Sequence, residues 1–284
     1  MKDGGYTVKG TVRDKDNAAK VGPLKDAFGE NFDKLELVNA DLTDEASLVA
    51  AIAGANFVVH TASPFALKGD QPEEAYTKPA VEGTLSVLKA CTAAGVKRVV
   101  ITSSVVAIVD CGKEKPAHYT PDDWSKESEQ TAYSKSKTMA EKAAWDYQKT
   151  AEGSSLEIST ILPAFIVGVP ITTSEGGSVQ YLTMFKTKGS ESPQAPLGLI
   201  DVVDTAQAHL QAVKVEEAKN QRFILVQQSK IMAHLGQDLN DQSPYIECAV
   251  KPNSFDTSKT KDILGIDMKD AVQSAKEMAA HLKL

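Results

Sequence analysis

The sequence predicts an α/β fold whose core is a doubly wound parallel sheet. From the first residues to about Gly168, apolar runs of strand length alternate with longer stretches of helical periodicity. One run, residues 98–104, is almost continuously apolar, as expected of a strand buried on both faces of a parallel sheet. Beyond Gly168 the alternation changes to shorter elements separated by Gly, Ser and Pro, which indicates a smaller second part of the molecule.

Individual elements follow from length, composition and end signals. Six β-branched or apolar runs predict strands at residues 6–13, 35–41, 57–60, 98–104, 156–162 and 222–226. Four stretches predict helices at residues 43–54, 81–95, 133–150 and 268–284. Thr43 is the expected N-cap of the first of these helices, and Asp204 is the expected cap of a further helix in the C-terminal part.

The composition is that of a soluble globular protein with one large domain or two closely packed ones: 284 residues, 42% hydrophobic and 24% charged. A net charge of −7 argues against a nucleic-acid partner and against an anionic membrane surface. No apolar run has the length of a membrane span or the setting of a signal peptide. Cys91, Cys111 and Cys248 lack metal-ligand spacing, so we expect a reduced, cytoplasmic protein without a metal site.

The segment with the most chemical content is TAYSKSKTMAEKAAW, which contains Tyr133 and Lys137. On a helix these side chains stand at i and i+4 and share one face. A neighbouring ammonium favours the phenolate and lowers the pKa of a tyrosine from its ordinary value of about 10, so that the phenol can exchange protons near neutrality. Ser104 ends the most apolar strand, at the sheet edge where ligands of such folds bind. Tyr-x-x-x-Lys alone is a weak pattern, but together with this serine it predicts a catalytic set of Ser104, Tyr133 and Lys137.

Seven segments occur in an order and at spacings that match a known enzyme family: GYTVKGTVRDKDN, LVNADLTDEASL, VVHTASPF, VEGTLSVLKAC, VKRVVITSSVVAIV, YSKSKTMAEKAAWDY and ILPAFIVGVP. The chain resembles the extended short-chain dehydrogenase/reductases of the NAD-dependent epimerase/dehydratase superfamily. More narrowly, it is similar to their dihydroflavonol reductase and cinnamoyl-CoA reductase-like branch. The resemblance implies a Rossmann-type NADP-binding domain over residues 1–165. It also implies a mainly substrate-binding lobe over residues 166–284, with elements that return to the sheet.

The resemblance further implies an NADPH-dependent reductase that converts a ketone or aldehyde to the alcohol. A hydride would pass from NADPH to the carbonyl carbon while Tyr133 protonates the oxygen. Lys137 would support Tyr133 and the cofactor ribose, and Ser104 would orient the carbonyl. Arg13 and Lys20 match residues that contact the 2′-phosphate, which implies NADPH and not NADH.

Six other positions match cofactor contacts of the family. Asp41 and Leu42 match a pair that contacts adenine. The matches to the loop beneath the ribose and nicotinamide, and to the segment that supports the carboxamide, are Thr61, Ala62, Ser63 and Pro163.

The sequence departs from the family pattern in two places. The GxxGxxG loop and the strand before it belong upstream of residue 6, and we expect both to be missing here, which would leave a central strand position empty. An incomplete gene model, a short isoform or a true loss would each account for this. Val109 stands where plant flavonoid reductases carry an asparagine, so we expect a substrate other than a flavonoid. Residues 172–196, which include Tyr181, Met184 and Phe185, are expected to cover a mostly apolar substrate pocket.

Two other functions stay open. A non-catalytic relative, acting as a binding or regulatory module, would keep Ser104, Tyr133 and Lys137 but would no longer hold a dinucleotide. A hydroxysteroid or sugar-nucleotide dehydrogenase or epimerase is an alternative within the superfamily. For the reductase we expect a small-molecule carbonyl substrate and a monomer or homodimer.

Overall fold

The computed structural model describes residues 5–63, 72–109, 118–126, 130–171, 177–188, 198–227 and 254–283. Within these ranges the strands are β1 Val8–Val12, β2 Leu35–Asn39, β3 Phe57–His60, β4 Arg98–Thr102, β5 His118–Tyr119, β6 Glu157–Pro163, β7 Phe165–Val167, β8 Leu199–Asp201, β9 Arg222–Leu225 and β10 Ser254–Phe255. The helices are α1 Ala18–Phe28, α2 Glu45–Ile52, α3 Glu74–Ala93, α4 Ala132–Gln148, α5 Gly177–Lys188, α6 Val202–Lys214, α7 Ser258–Asp262 and α8 Ala271–His281.

The central sheet is parallel throughout. Its four strands pair in the order β3-β4-β6-β9, and β1 and β2 form a separate parallel pair. Strand β4 lies inside the sheet and its residues are almost fully buried, as the continuous apolar run predicts. The predicted α/β fold with a parallel sheet is therefore confirmed.

Helices cover both faces of the four-stranded sheet. Val99 of β4 packs in one apolar cluster with Leu88 of α3 and Ala144 of α4. The next residue, Val100, points to the opposite face and packs in a second cluster with Ala208 of α6. Successive side chains of β4 thus serve the two layers, which is the doubly wound arrangement.

Strands β1 and β3 belong to separate sheets in the described part of the chain. Among the described residues, no strand pairs with β1 on the side away from β2, or with β3 on the side away from β4. Lys9 of β1 donates through Nζ to the carbonyl oxygen of Ala53, just before β3, at 2.9 Å. Val59 of β3 is 45% exposed, although it is apolar and lies in a strand. Both strands thus have an open edge among the described residues.

Two predicted helix caps are wrong. Asp44, and not Thr43, is the N-cap of α2, because its carboxylate accepts from the amides of Ala46 and Ser47. The Thr43 hydroxyl donates instead to Asp41, at 2.6 Å.

The cap of α6 is also one turn earlier than expected. Asp201 accepts from the amides of Val203 and Asp204, at 2.7 and 3.2 Å. Asp204 lies inside the first turn, where its carboxylate accepts from the amide of Lys269 at 2.7 Å. The carboxylate that precedes the turn can reach the free amides, whereas the one inside the turn connects α6 to the segment before α8.

The C-terminal part has its own small sheet, in which β7 pairs with β8. Val167 and Leu199 of these strands pack with Leu182 of α5 and with Ala275 and Met278 of α8. Strand β9 returns to the main sheet beside β6. The division of function between residues 1–165 and 166–284 stays a prediction. None of the described helices is long and apolar enough to cross a membrane.

Candidate active site

Strands β3, β4 and β6 run parallel, so their carboxyl ends meet at one edge of the sheet. The residues that follow these ends are the loop after His60, the Ser103–Ser104 pair and the end of β6 at Pro163. Helix α4, which carries Tyr133 and Lys137, packs against the short turn that follows Ser104. The structure therefore brings the three predicted catalytic positions to one end of the fold.

Ser104 lies two residues beyond β4 and caps a single 3-10 turn, Val105–Ala107. Its backbone is extended, and its Oγ accepts from the amide of Val106 at 3.4 Å, a long contact. The serine hydroxyl hydrogen is therefore available to another acceptor. The side chain is half-buried at the sheet edge.

Tyr133 and Lys137 share one face of α4, as their spacing predicts. Thr131 caps this helix by accepting from the amide of Ser134 at 3.2 Å. The Lys137 Nζ lies 6.0 Å from the centroid of the Tyr133 ring. That distance is the outer limit of a cation–π contact and places a positive charge beside the phenol.

Burial lowers the pKa of Lys137 from its ordinary value to about 8. The nearby ammonium also affects His60, the last residue of β3. Burial, with a smaller contribution from Lys137, lowers the pKa of His60 to about 4, so this imidazole is neutral at pH 7. A neutral imidazole can lie beside the ammonium without adding a second positive charge.

Arg13 and Lys20 belong to the part of the chain around the separate strand pair β1–β2. Arg13 directly follows β1, Lys20 lies in the first turn of α1, and both are exposed. Arg13 is close enough to Asp41 to contribute to the lowered pKa of that carboxyl, whose largest cause is its hydrogen bond from the Thr43 side chain. Two cations thus lie around the carboxyl end of β1.

Asp41 and Leu42, the predicted adenine contacts, also have evident structural partners. Asp41 accepts from the amide and the hydroxyl of Thr43, at 2.8 and 2.6 Å, and so shapes the turn into α2. Leu42 lies against Gly83 of α3, where an added Cβ would stand 3.3 Å from the leucine Cβ. This contact connects the end of β2 to the helix that follows β3.

The four remaining predicted contacts lie at the carboxyl ends of β3 and β6. Thr61 and Ala62 are exposed and Ser63 is half-buried, which leaves this loop accessible to a ligand. Pro163 is buried as the last residue of β6, paired in register with Leu225 of β9. Their roles toward a cofactor stay predictions.

A dinucleotide fits the described residues at its two ends but not in its middle. Arg13 and Lys20 are cations near the end of β1, which suits a 2′-phosphate, and the Lys137 ammonium and the Tyr133 phenol can hydrogen-bond a ribose hydroxyl. Among the described residues, however, no glycine-rich turn leads from a strand into a helix to receive the pyrophosphate. The helix that follows β1 has Asn17 as its N-cap residue.

Sequence reasoning missed three residues that support this site. Glu141 of α4 is buried and accepts from Ser103 Oγ at 2.6 Å and from Arg222 Nε of β9 at 2.8 Å. The signal available in the sequence was weak: Glu141 follows Lys137 at i+4 and Ser103 adjoins Ser104. Arg222, far away in the chain, offered no signal that would pair it with either.

Comparisons with known proteins identify the family of the chain. The family model described as 3-beta hydroxysteroid dehydrogenase/isomerase matches residues 8–227. An anthocyanidin reductase from Vitis vinifera is 32% identical over 93% of this chain and 81% of that protein. The cinnamoyl-CoA reductase CAD2 of Medicago truncatula is 31% identical over 96% of this chain and 89% of that protein.

Among solved structures, Gre2 from Candida albicans in complex with NADPH superposes with a TM-score of 0.78 and 28% identity. The match covers 98% of this chain and 92% of that one. The chain therefore belongs to the 3-beta hydroxysteroid dehydrogenase/isomerase family and is an oxidoreductase of the short-chain dehydrogenase/reductase type.

Proposed function

We propose that this protein reduces a ketone or aldehyde to the alcohol with NADPH as the reductant and Tyr133 as the proton donor. The observation that carries the proposal is the placement of the Lys137 ammonium 6.0 Å from the Tyr133 ring, on a helix packed against the turn after Ser104. Relatives that are themselves named reductases support it, as does the fold shared with an NADPH complex.

When bound, NADPH supplies a hydride to the carbonyl carbon. Tyr133 then donates its phenolic proton to the carbonyl oxygen, which would otherwise become an alkoxide. The Lys137 ammonium stabilises the phenolate that remains, and the Ser104 hydroxyl donates a second hydrogen bond to the same oxygen. Arg13 and Lys20 select the 2′-phosphate by charge.

For the substrate we propose a small carbonyl compound rather than a flavonoid. Val109, five positions after Ser104, packs against an apolar cluster and has no hydrogen-bonding group to offer a polyphenol. The predicted substrate cover, residues 172–196, lies mostly outside the described residues, and so do the side chains of Tyr181, Met184 and Phe185.

A second candidate is the non-catalytic relative, which the lack of a glycine-rich turn among the described residues favours. Titration with NADPH and NADH, followed by thermal melting and nicotinamide fluorescence, separates the two. Stabilisation by NADPH supports the reductase, whereas a chain that melts cooperatively and binds neither nucleotide is a non-catalytic relative.

The catalytic assignment is tested with small ketones and aldehydes, a 3-ketosteroid and an anthocyanidin, following NADPH oxidation. We expect Tyr133→Phe to lower kcat/KM by roughly 100-fold or more, because the proton donor is lost. Lys137→Met should have a similar effect. Lys149→Met is the matched control, since Lys149 lies on an exposed part of the chain just after α4 and pairs with the exposed Asp146 one turn before it. Parental activity in Tyr133→Phe would remove Tyr133 from the mechanism.

A further inference from the structure

A buried ion pair lies behind the candidate active site, between helix α4 and the sheet. Glu141 is 2% exposed and Arg222 of β9 is 8% exposed. The Arg222 Nε donates to Glu141 Oε1 at 2.8 Å, and Nη2 donates to Oε2 at 3.2 Å. This is a bidentate pair in which both oxygens of the carboxylate are engaged.

The same carboxylate also accepts from both neighbouring strands. Ser103, just after β4, donates through Oγ to Oε2 at 2.6 Å, and Thr160 of β6 donates through Oγ1 to Oε1 at 2.8 Å. Trp145, one turn along α4, donates through Nε1 to Oε1 at 3.2 Å. One carboxylate therefore joins α4 to β4, β6 and β9.

Hydrogen bonds fix the backbone both before and after Ser104. Ser103, directly before it, is tied to Glu141, and its amide continues the ladder to Ile161 with a 2.8 Å bond. After it, the carbonyl oxygen of Val106 accepts from Ser125 Oγ at 2.7 Å and from Gln130 Nε2 at 2.9 Å. The backbone on each side of Ser104 is thus connected to α4 or to the segment leading into it.

Glu141 stands one helical turn beyond Lys137 and two turns beyond Tyr133. A single group therefore connects the helix that carries the proposed proton donor to the strand end that carries the proposed serine. We propose that Glu141, held by Arg222, is a positioning residue that sets the distance between Ser104 and the Tyr133–Lys137 pair. Its catalytic meaning rests on the proposed function.

The chemistry of the pair favours this role over a contribution to stability alone. Buried ion pairs are on average no more stabilising than apolar side chains of similar size. Only an anion, however, can accept from two hydroxyls, an indole and a guanidinium at the same time. The remaining Arg222 nitrogen, Nη1, donates to the carbonyl oxygens of Pro121 and Asp123 at 2.6 and 2.7 Å, which fixes the orientation of the guanidinium.

The chain offers a matched control at the opposite end of the same strands. Arg98 begins β4, is 1% exposed and pairs with Glu157, the first residue of β6, at 2.7 Å. Glu157→Gln therefore breaks a carboxylate–guanidinium pair between β4 and β6 far from Ser104. Glu141→Gln breaks the pair behind the site.

We expect Glu141→Gln and Ser103→Ala to lower kcat roughly 10- to 100-fold, with NADPH affinity much less affected, because the reacting groups are misplaced. Ser103→Thr, which keeps the hydroxyl, should restore most of the loss in Ser103→Ala. Glu157→Gln should lower the melting temperature while kcat at a permissive temperature stays near the parental value.

Hydrogen exchange provides a readout that does not depend on activity. Under folded conditions, amides in residues 103–109 and 130–137 should exchange faster in Ser103→Ala than in the parent, and should be unchanged in Glu157→Gln, which perturbs the other end of β4 at Arg98. If the parent reduces no carbonyl compound, the proposed function fails and the exchange data alone decide the positioning. Parental kcat in Ser103→Ala, equal losses in Ser103→Ala and Glu157→Gln, or unchanged local exchange would each overturn the proposal.

Discussion

The imidazole of His209 on α6 is hydrogen-bonded to the hydroxyl of Thr102 at the end of β4, with 2.7 Å between Nε2 and Oγ1. Its other nitrogen, Nδ1, lies 2.7 Å from the carbonyl oxygen of Thr205. Because a carbonyl only accepts, Nδ1 carries a hydrogen. Burial lowers the pKa of His209 despite the opposing effect of the Thr205 carbonyl, so the ring is neutral at pH 7. In the neutral ring Nε2 accepts from the Thr102 hydroxyl, and the imidazole connects the helix to the sheet.

Two buried neutral histidines predict a loss of stability in mild acid. The folded-state pKa of His60 is lowered to about 4, and that of His209 is also below its ordinary value. Both rings must take up a proton on unfolding below about pH 6.5, so their contribution is complete above that pH and is lost as the pH falls toward 4. For His60 the free energy of unfolding should fall by about 2 kcal/mol between pH 7 and pH 5.

Urea unfolding of the parent and of His60→Gln between pH 5 and pH 7 measures this contribution. The substituted protein should show a flatter dependence of stability on pH, whatever its absolute stability. Parallel curves for the two proteins would show that His60 does not take up a proton on unfolding in this range.

The charges after β1 should determine which nicotinamide cofactor binds. Arg13 and Lys20 are both exposed, and removing them should leave the fold intact. Changing both to Ala should weaken NADPH binding about tenfold or more while NADH binding changes little, because only NADPH carries the 2′-phosphate. Calorimetric titration with the two nucleotides measures this, and Lys34→Ala is a control for the loss of an exposed cation near β2. Equal losses for NADPH and NADH would refute the assignment.

The lowered pKa of Lys137 predicts an alkaline limit to activity. Because the ammonium is the form that stabilises the phenolate, activity should be full well below pH 8 and should decline as the pH rises through the pKa of about 8. Lys137→Arg, whose guanidinium stays charged, should move this decline to higher pH even if the maximal rate is lower. The rate of acetylation of Lys137, compared with that of the exposed Lys149 across the same pH range, reports the titration without activity. A Lys137 that acetylates only as its charge is lost well above pH 8 would contradict the prediction.

The end of α4 depends on a glycine for close packing. Gly153 is buried, and a Cβ at this position would stand 2.2 Å from the carbonyl oxygen of Tyr147, a backbone atom that cannot move aside cheaply. Gly153→Ala should therefore lower the free energy of unfolding by about 1–3 kcal/mol. Ser154→Ala, at the adjacent exposed residue, is the control and should change stability much less. Thermal or urea melting compares the two, and equal stabilities would show that the helix end relaxes around the added methyl.

Strand positions were predictable to within a few residues, but helix starts were less so. The run at residues 98–104 appears as β4 Arg98–Thr102, and the predicted strand at residues 57–60 coincides with β3. The helix expected at residues 81–95 begins earlier, at Glu74. It therefore contains Pro79, although proline usually marks a helix start. Caps were misplaced because several acidic or hydroxyl side chains lie near each helix start, and only the chain direction decides which one reaches the free amides.

The sequence by itself determined the alternation of strands and helices, the parallel sheet and the sharing of one helix face by Tyr133 and Lys137, because these depend on side-chain periods of 2 and 3.6 residues. Only the tertiary structure decided which distant groups meet. It placed Arg222 against Glu141 and Thr102 against His209, and among the described residues it put β1 and β3 in separate sheets. Such contacts join residues far apart in the chain, and no local pattern specifies which residue pairs with which. Burial requires that each polar group have a hydrogen-bond partner, but the partner is chosen by the tertiary packing.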